Sequence, residues 1–444
     1  MLPDTRYARP ADGSHIAYQV AGGGPHDVVL SLGWFSNVDL VWEHPEIEPF
    51  VRRLAAAGRL IIFDRRGTGL SDAAPDVQDL DSMMDGVRAV MDAAASDRAV
   101  LVGLTIGCGL MALFAATFPE RVSGLVLIEP MPRVAWAEDY EWGETAQYHR
   151  QETEHINAGW GTGEFERWFL AELNDARAAD PAYVALTARY LRQSLSPNMA
   201  VFQNRVWFDT DYRHVLPAIH VPTLVISRRR DPAIGRWVAG QIVGSEHLHL
   251  PDEPRLPWLP GSVRTATEIE RFVAEIRSEE AELERVLATV LFTDLVQSTE
   301  LASRAGDVSW RATLDEHKRI VRMQIARYRG REIKTMGDGF LITFDGPARA
   351  IRCARGIADG TARLGLSMRA GLHTGELTER AGDVEGVAVA IAARVLAHAA
   401  PGEILVSSTV KDLVAGSGLT FEDRGRHTLK GVPGKWSLHS VVAE

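Results

Sequence analysis

Lysine is almost missing from this chain. Residues 1–287 contain none, and all 444 residues hold five: Lys318, Lys334, Lys411, Lys430 and Lys435. Cysteine is scarcer still. Cys108 and Cys353 are too few for a disulfide framework, and neither lies in a metal-ligand cluster. The first residues, Met-Leu-Pro-Asp-Thr-Arg, lack the apolar core of a signal peptide, so a reducing, cytoplasmic location is expected. Internal repeats and low-complexity tracts are absent, and basic residues are too diffuse to predict nucleic-acid binding. Ala99–Phe118 is uncharged over the length of a membrane span. Gly103, Gly107 and Gly109 divide it into a β-rich run and a helical run, which predicts a buried strand, a tight turn and a helix instead.

Hydrophobic residues make up 46% of the chain and charged residues 24%, an ordinary globular composition long enough for two or three domains. The net charge of −11 is unevenly spread: residues 1–287 carry 27 basic and 41 acidic side chains, and residues 288–444 carry 21 and 18. Such asymmetry points to separate domains. In the first 260 residues, short apolar runs at Val28, Leu60, Ala99, Gly124 and Thr223 alternate with helical patterns. That texture predicts a mostly parallel sheet covered on both faces. The helical, aromatic segment 136–215 interrupts it like a cap. A helical pattern from Thr265 to Leu287, with a Glu-rich connector from Ser278, predicts a linker over 276–287 between domains at 1–275 and 288–444. Beyond Ala288, strands and helices mix without strict alternation, as in an α+β sandwich.

Phe63-Asp-Arg-Arg-Gly-Thr-Gly-Leu-Ser-Asp72, with the strand before it, resembles the α/β-hydrolase superfamily. The landmarks follow in order: Ser31-Leu-Gly-Trp-Phe-Ser at the oxyanion-hole loop, Gly103-Leu-Thr-Ile-Gly107 at the nucleophile elbow, and Asp231 after a strand at the acid position. The resemblance spans roughly residues 5–275. Its chemistry departs from the family. Thr105 stands where Ser is expected, and a β-branched residue is poorly suited to the positive φ of an elbow. Arg255 falls at the base position, where a permanently protonated guanidinium cannot take a proton. His247 and His249 are the nearby candidates for a base, but a strand position without catalysis fits them better. Cys108 reads as a small core residue. A non-catalytic fold is expected, serving as a scaffold or keeping a small-molecule pocket under the cap.

Val290-Leu-Phe-Thr-Asp-Leu-Val-Gln-Ser-Thr299 and Ile333-Lys-Thr-Met-Gly-Asp-Gly-Phe340 together resemble the catalytic domain of class III nucleotidyl cyclases, from about Val286 to Val442. Taken as residues, Asp294 closes a strand and Asp338 sits in a hairpin turn. If the two strands pair, both carboxylates reach one sheet edge, where hard divalent ions such as two Mg²⁺ or Mn²⁺ suit them. The Leu295 carbonyl is a further candidate ligand, and Gln297-Ser298-Thr299 opens a helix whose N–H groups suit phosphate. The resemblance implies more. Lys334 would donate to adenine N1 and Asp383 accept from its amino group, which fits ATP. Lys430 would bind the triphosphate, and Arg394 would stabilise charge on the transferring phosphate. Ala390 replaces the family's ribose-orienting Asn, which implies slow turnover. The family's head-to-tail dimer would place Asp294 and Asp338 of one chain against Lys334, Asp383, Arg394 and Lys430 of another.

The expected architecture is thus an α/β-hydrolase domain followed by an α+β cyclase domain. The expected function is adenylate cyclase, a phosphorus–oxygen lyase acting as a homodimer. A nucleotide- or ligand-binding pseudoenzyme is the alternative, with an active esterase behind it. Neither a membrane span nor a nucleic-acid partner is expected.

Overall fold

The computed structural model describes the chain except residues 1, 74–79, 174, 229–231, 254–262, 284, 381–382 and 443–444. It divides into two compact units, Met1–Ser278 and Glu279–Glu444.

The first unit holds eight strands: β1 (Arg6–Ala8), β2 (Ile16–Ala21), β3 (Asp27–Ser31), β4 (Arg59–Phe63), β5 (Ala99–Leu104), β6 (Val122–Ile128), β7 (Thr223–Ser227) and β8 (Glu246–His249). Their order is β1-β2-β4-β3-β5-β6-β7-β8. From β4 to β8 every pair is parallel, and β1 and β2 join the end as antiparallel strands. The uncharged runs lie inside because helices cover both faces. One face packs α2 (Leu80–Ala93), α3 (Ile106–Thr117) and α8 (Ala233–Gln241). The other packs α1 (Ile47–Ala57) and α9 (Val263–Leu283). The cap is helical, with α4 (Ala146–Gly159), α5 (Glu164–Glu172), α6 (Pro181–Ser194) and α7 (Pro197–Asp209). The uncharged stretch from Ala99 is β5, a turn and α3, and no helix among the described residues is long and apolar enough to cross a membrane.

In the second unit the strands are β9 (Arg285–Leu295), β10 (Arg331–Met336), β11 (Gly339–Phe344), β12 (Met368–Arg380), β13 (Asp383–Glu385), β14 (Ile404–Ser407), β15 (Phe421–Thr428) and β16 (Lys435–Val441). They run β10-β11-β9-β12-β14-β16-β15, with β13 paired to β12. The helices are α10 (Ser298–Ala305), α11 (Asp307–Arg327), α12 (Pro347–Ala362), α13 (Val387–His398) and α14 (Ser408–Leu413). Helices α11 and α12 bury Leu291, Phe340 and Ile342 on one face. Helix α13 covers Val290, Phe292 and Leu405 on the other.

One boundary differs from expectation. The helical pattern does not run to Leu287; α9 stops at Leu283, and Val286 and Leu287 belong to β9. The cause is the long ladder between β9 and β12, which pairs Arg285 with Thr378 and Leu287 with Glu376. Strand hydrogen bonds override the local helical spacing.

Candidate functional site

In the second unit, β9 and β11 are antiparallel, with Phe340 opposite Thr293. One further step of that register sets Gly339 against Asp294, and Asp338 follows in the two-residue turn from Met336 to Gly339. The two aspartates therefore sit at the same end of adjacent strands. The approach is close: a Cβ on Gly339 would lie 2.6 Å from the Thr293 carbonyl oxygen, so only glycine allows it. Gly337 supplies the turn's positive φ of 70°.

The two carboxylates have different surroundings. Oδ2 of Asp338 is buried and makes no hydrogen bond, and the buried ring of His317 lies behind its backbone, bound to Thr361 at 3.1 Å. Burial holds the His317 imidazole below its usual range, and Asp338 opposes that shift. Oδ2 of Asp294 accepts from Nη2 and Nε of Arg369 at 2.7 and 3.1 Å. Arg369 is directly opposite Asp294 in the β9–β12 ladder. This positioning contact uses only one Asp294 oxygen. The donor set is all oxygen, with one desolvated carboxylate oxygen lacking a partner, and it fits a hard divalent cation. No group of three or more His, Cys, Asp or Glu that could hold a metal occurs among the described residues. Remaining ligands would have to come from backbone, substrate or water.

Beside this end, Gln297 takes a left-handed conformation (φ 58°) and caps α10 at Ser298. The Thr299 side chain lies outside the described residues. Lys334 on β10 bonds Asp383 on β13, Nζ to Oδ2, at 3.1 Å. The Val384 backbone N–H and then Lys334 hold the Asp383 carboxyl below its usual range. Arg394 on α13 donates from Nε to the Lys430 carbonyl at 3.2 Å. Ala390, one turn earlier on α13, is exposed. Three separate pairs result: Asp294 with Asp338, Lys334 with Asp383, and Arg394 with Lys430. Among the described residues, no hydrogen bond or ion pair joins one pair to another.

In the first unit, Thr105 occupies the turn between β5 and α3 with φ 46° and ψ −107°. The elbow is therefore kept despite the β-branched residue, whose strain the surrounding fold holds in place. Its glycines are required by space: a Cβ on Gly103 would lie 2.8 Å from Cys108 Cα, and one on Gly107 would lie 2.7 Å from Ser31 Oγ. Cys108 is a core residue, donating to the Gly103 and Ile128 carbonyls, and burial pushes its thiol well up. Asp231 and Arg255 lie outside the described residues. His247 and His249 lie on β8, and neither lines the cavity at Thr105. Nε2 of His247 meets Ser227 Oγ at 3.0 Å.

That cavity, open in part to solvent, is walled by Trp34, Phe35, Phe169 and Trp207. Sequence reasoning missed its acids, Glu129, Glu144 and Glu152. Glu129 closes β6 with φ 51° and is bound by the Arg228 backbone N–H. A lone carboxylate ending the apolar run Leu125-Val-Leu-Ile was the available signal. Burial pushes Glu152 up to about 7, and Glu144 adds to the shift.

Residues 28–245 match the family described as "alpha/beta hydrolase fold", and residues 282–443 match "Adenylate and Guanylate cyclase catalytic domain". The chain carries an α/β-hydrolase fold domain followed by a class III nucleotidyl cyclase catalytic domain. Among curated proteins, "Putative adenylate cyclase 3" of Rhizobium meliloti is 26% identical over 159 residues, 34% of this chain. The chain spans only 27% of that protein's own length. "Karrikin insensitive 2 receptor CA" of Petunia hybrida is 25% identical over 240 residues, 52% of this chain and 81% of the receptor. Among solved structures, an esterase from Exiguobacterium antarcticum superposes with a TM-score of 0.54 at 21% identity, over 61% of this chain and all of the esterase. That likeness shows the fold alone.

Proposed function

We propose that the protein is an adenylyl cyclase, converting ATP to 3′,5′-cyclic AMP and pyrophosphate in a homodimer. The observation that carries the reading is the pairing of β9 with β11, which sets Asp294 and Asp338 at one end of adjacent strands. Asp294, Asp338 and the Leu295 carbonyl would hold two Mg²⁺ or Mn²⁺ ions. When bound, such ions acidify the ribose 3′-hydroxyl and neutralise the triphosphate.

The remaining work belongs to this chain's own side chains. Lys334 and Asp383, already in contact, offer one donor and one acceptor side by side, which matches adenine N1 and its amino group. Lys430 attracts the triphosphate, and the free N–H groups of the α10 N-terminus at Gln297, Ser298 and Thr299 donate to phosphate oxygens. The Arg394 guanidinium stabilises charge developing at the α-phosphate. The absence of any link between the three pairs supports a dimer, in which Asp294 and Asp338 of one chain face the other two pairs of a second. Ala390 offers no hydrogen bond to the ribose, and losing one such donor costs about 10²–10³ in rate. Slow turnover follows. The same alanine favours the second reading, a nucleotide-binding pseudoenzyme. The hydrolase-fold unit serves as a regulatory or scaffold domain without ester chemistry.

The test is cyclic AMP formation by the purified chain with ATP and Mn²⁺. Product from the wild type and none from Asp294→Ala is expected. Equal product from the two removes the proposal, and ATP binding without product supports the pseudoenzyme. Cyclic GMP formed faster from GTP would correct the substrate.

A further inference from the structure

Helix α11 turns an apolar stripe toward the sheet, and one position in that stripe is polar. Leu314, Val321 and Ile325 recur there at helical spacing. His317 falls between them and is 1% exposed. A ring with two polar nitrogens suits such a place only when both are bonded. Nδ1 meets the Thr361 hydroxyl on α12 at 3.1 Å. The Asp338 backbone takes the other bond. That bond favours the protonated ring, so the group at Asp338 is the carbonyl, which accepts. Phe340 packs edge to face against the same ring, with centroids 6.1 Å apart.

These bonds also set the proton. A neutral imidazole has one donor and one acceptor. The Asp338 carbonyl can only accept, so the ring N–H points at it. Nδ1 is then the acceptor, and the wholly buried Thr361 hydroxyl is its donor. The target of this chain of bonds is the turn outside the hairpin ladder. The register pairs Met336 with Gly339 and leaves Gly337 and Asp338 between them. Gly337, at φ 70°, has no side chain to brace the turn. Oδ2 of Asp338 is buried without a hydrogen bond. A carboxylate oxygen with no partner is aimed only by its own backbone, which must be set before a cation arrives.

We propose that His317 is a positioning residue of the cyclase centre: from α11 it holds the Asp338 backbone carbonyl and so fixes the direction of the Asp338 carboxylate, while Thr361 keeps the ring in the tautomer that can do this. His317 touches neither cation nor nucleotide. The inference rests on the cyclase reading for its cation.

Mn²⁺ binding to the full chain, with α,β-methylene-ATP as a nucleotide that cannot cyclise, is followed by electron paramagnetic resonance. His317→Leu keeps apolar bulk and removes the donor. Its Mn²⁺ dissociation constant is expected to rise about tenfold or more, the usual scale for losing a partner that orients a metal ligand. His317→Gln, which offers an amide N–H toward the same carbonyl, is expected to recover most of that loss. Thr361→Val releases the tautomer and is expected to weaken Mn²⁺ binding in the same direction, and it serves as the second variant should His317→Leu fold poorly. Urea midpoints separate aiming from folding: affinity should fall from wild type to His317→Gln to His317→Leu whatever the order of stabilities. Hydrogen exchange across residues 336–339, without metal or nucleotide, should quicken in His317→Leu. Unchanged Mn²⁺ affinity in folded His317→Leu or Thr361→Val, or His317→Gln binding no better than His317→Leu, would overturn the role and leave the cyclase reading standing. No Mn²⁺ bound by the wild type would instead remove the cyclase reading, and this inference with it.

Discussion

Single residues differed in how openly the sequence displayed them. Asp294, Asp338 and Lys334 were legible because each sits in a strand-and-turn string that fixes its local geometry. Arg369 was not, although it is the direct ladder partner of Asp294. The two lie far apart in sequence, and only strand pairing brings them together. The sole local trace was a charged residue inside the apolar run Leu366-Ser-Met-Arg-Ala-Gly-Leu. Thr105 teaches the converse. Its type argued against an elbow, yet the tight glycines around it impose one. Arg369→Met should let Asp294 swing away from its place. Because partners that orient metal-binding side chains are worth about 10–100-fold in affinity or activity, Mn²⁺ half-saturation should rise by roughly tenfold or more. Titration of Mn²⁺ binding by calorimetry, alongside cyclic AMP formation, checks this, and an unchanged midpoint would reduce Arg369 to a surface ion pair.

At the scale of elements, the buried strands announced themselves and the edge strands did not. Strands β3 to β7 are buried almost throughout, so their apolar runs are continuous. Strand β15 is exposed along most of its length and reads as Phe-Glu-Asp-Arg-Gly-Arg-His-Thr, which carries no alternating pattern. Strands β1, β13 and β16 were hidden for related reasons, being short or only partly buried. The hairpin of β10 and β11 was readable from Gly-Asp-Gly alone, but the intimacy of β11 with β9 was not. Gly339→Ala tests that intimacy. Its methyl would press on the Thr293 carbonyl, and overpacking of this kind costs about 1–3 kcal/mol. A lower urea midpoint is expected, with cyclic AMP formation falling more than the fraction folded, because the strand ends carrying the two aspartates are forced apart. Loss of stability with undiminished specific activity would contradict this.

The whole molecule joins two units whose stability responds to acid with different steepness. In the cyclase unit, burial holds His373 down at about 4. Its folded value lies below the unfolded value of about 6.5, so the unfolded chain takes up the proton first as pH falls. Stability is thus complete above pH 6.5 and declines toward pH 4, by roughly 2–3 kcal/mol for this residue. His44, also held at about 4 by burial, acts likewise in the hydrolase unit. There it meets an opposing effect. Burial pushes Asp64 up to about 6 and Glu152 up to about 7. These acids keep protons in the fold that the unfolded chain has shed, so their contribution grows as pH falls through those values and is lost as pH rises. The cyclase unit should therefore weaken more steeply between pH 7.5 and pH 5. Hydrogen exchange read by mass spectrometry in graded urea distinguishes the units, and His373→Gln should flatten the cyclase unit's slope. Parallel slopes in both units would refute the assignment. The unlinked pairs of the cyclase unit have a last consequence. A preparation of Asp294→Ala and another of Arg394→Ala, each silent by itself, should wake when blended, since every hybrid couple restores one whole catalytic set from two damaged parents. Silence after blending would mean that each chain works alone.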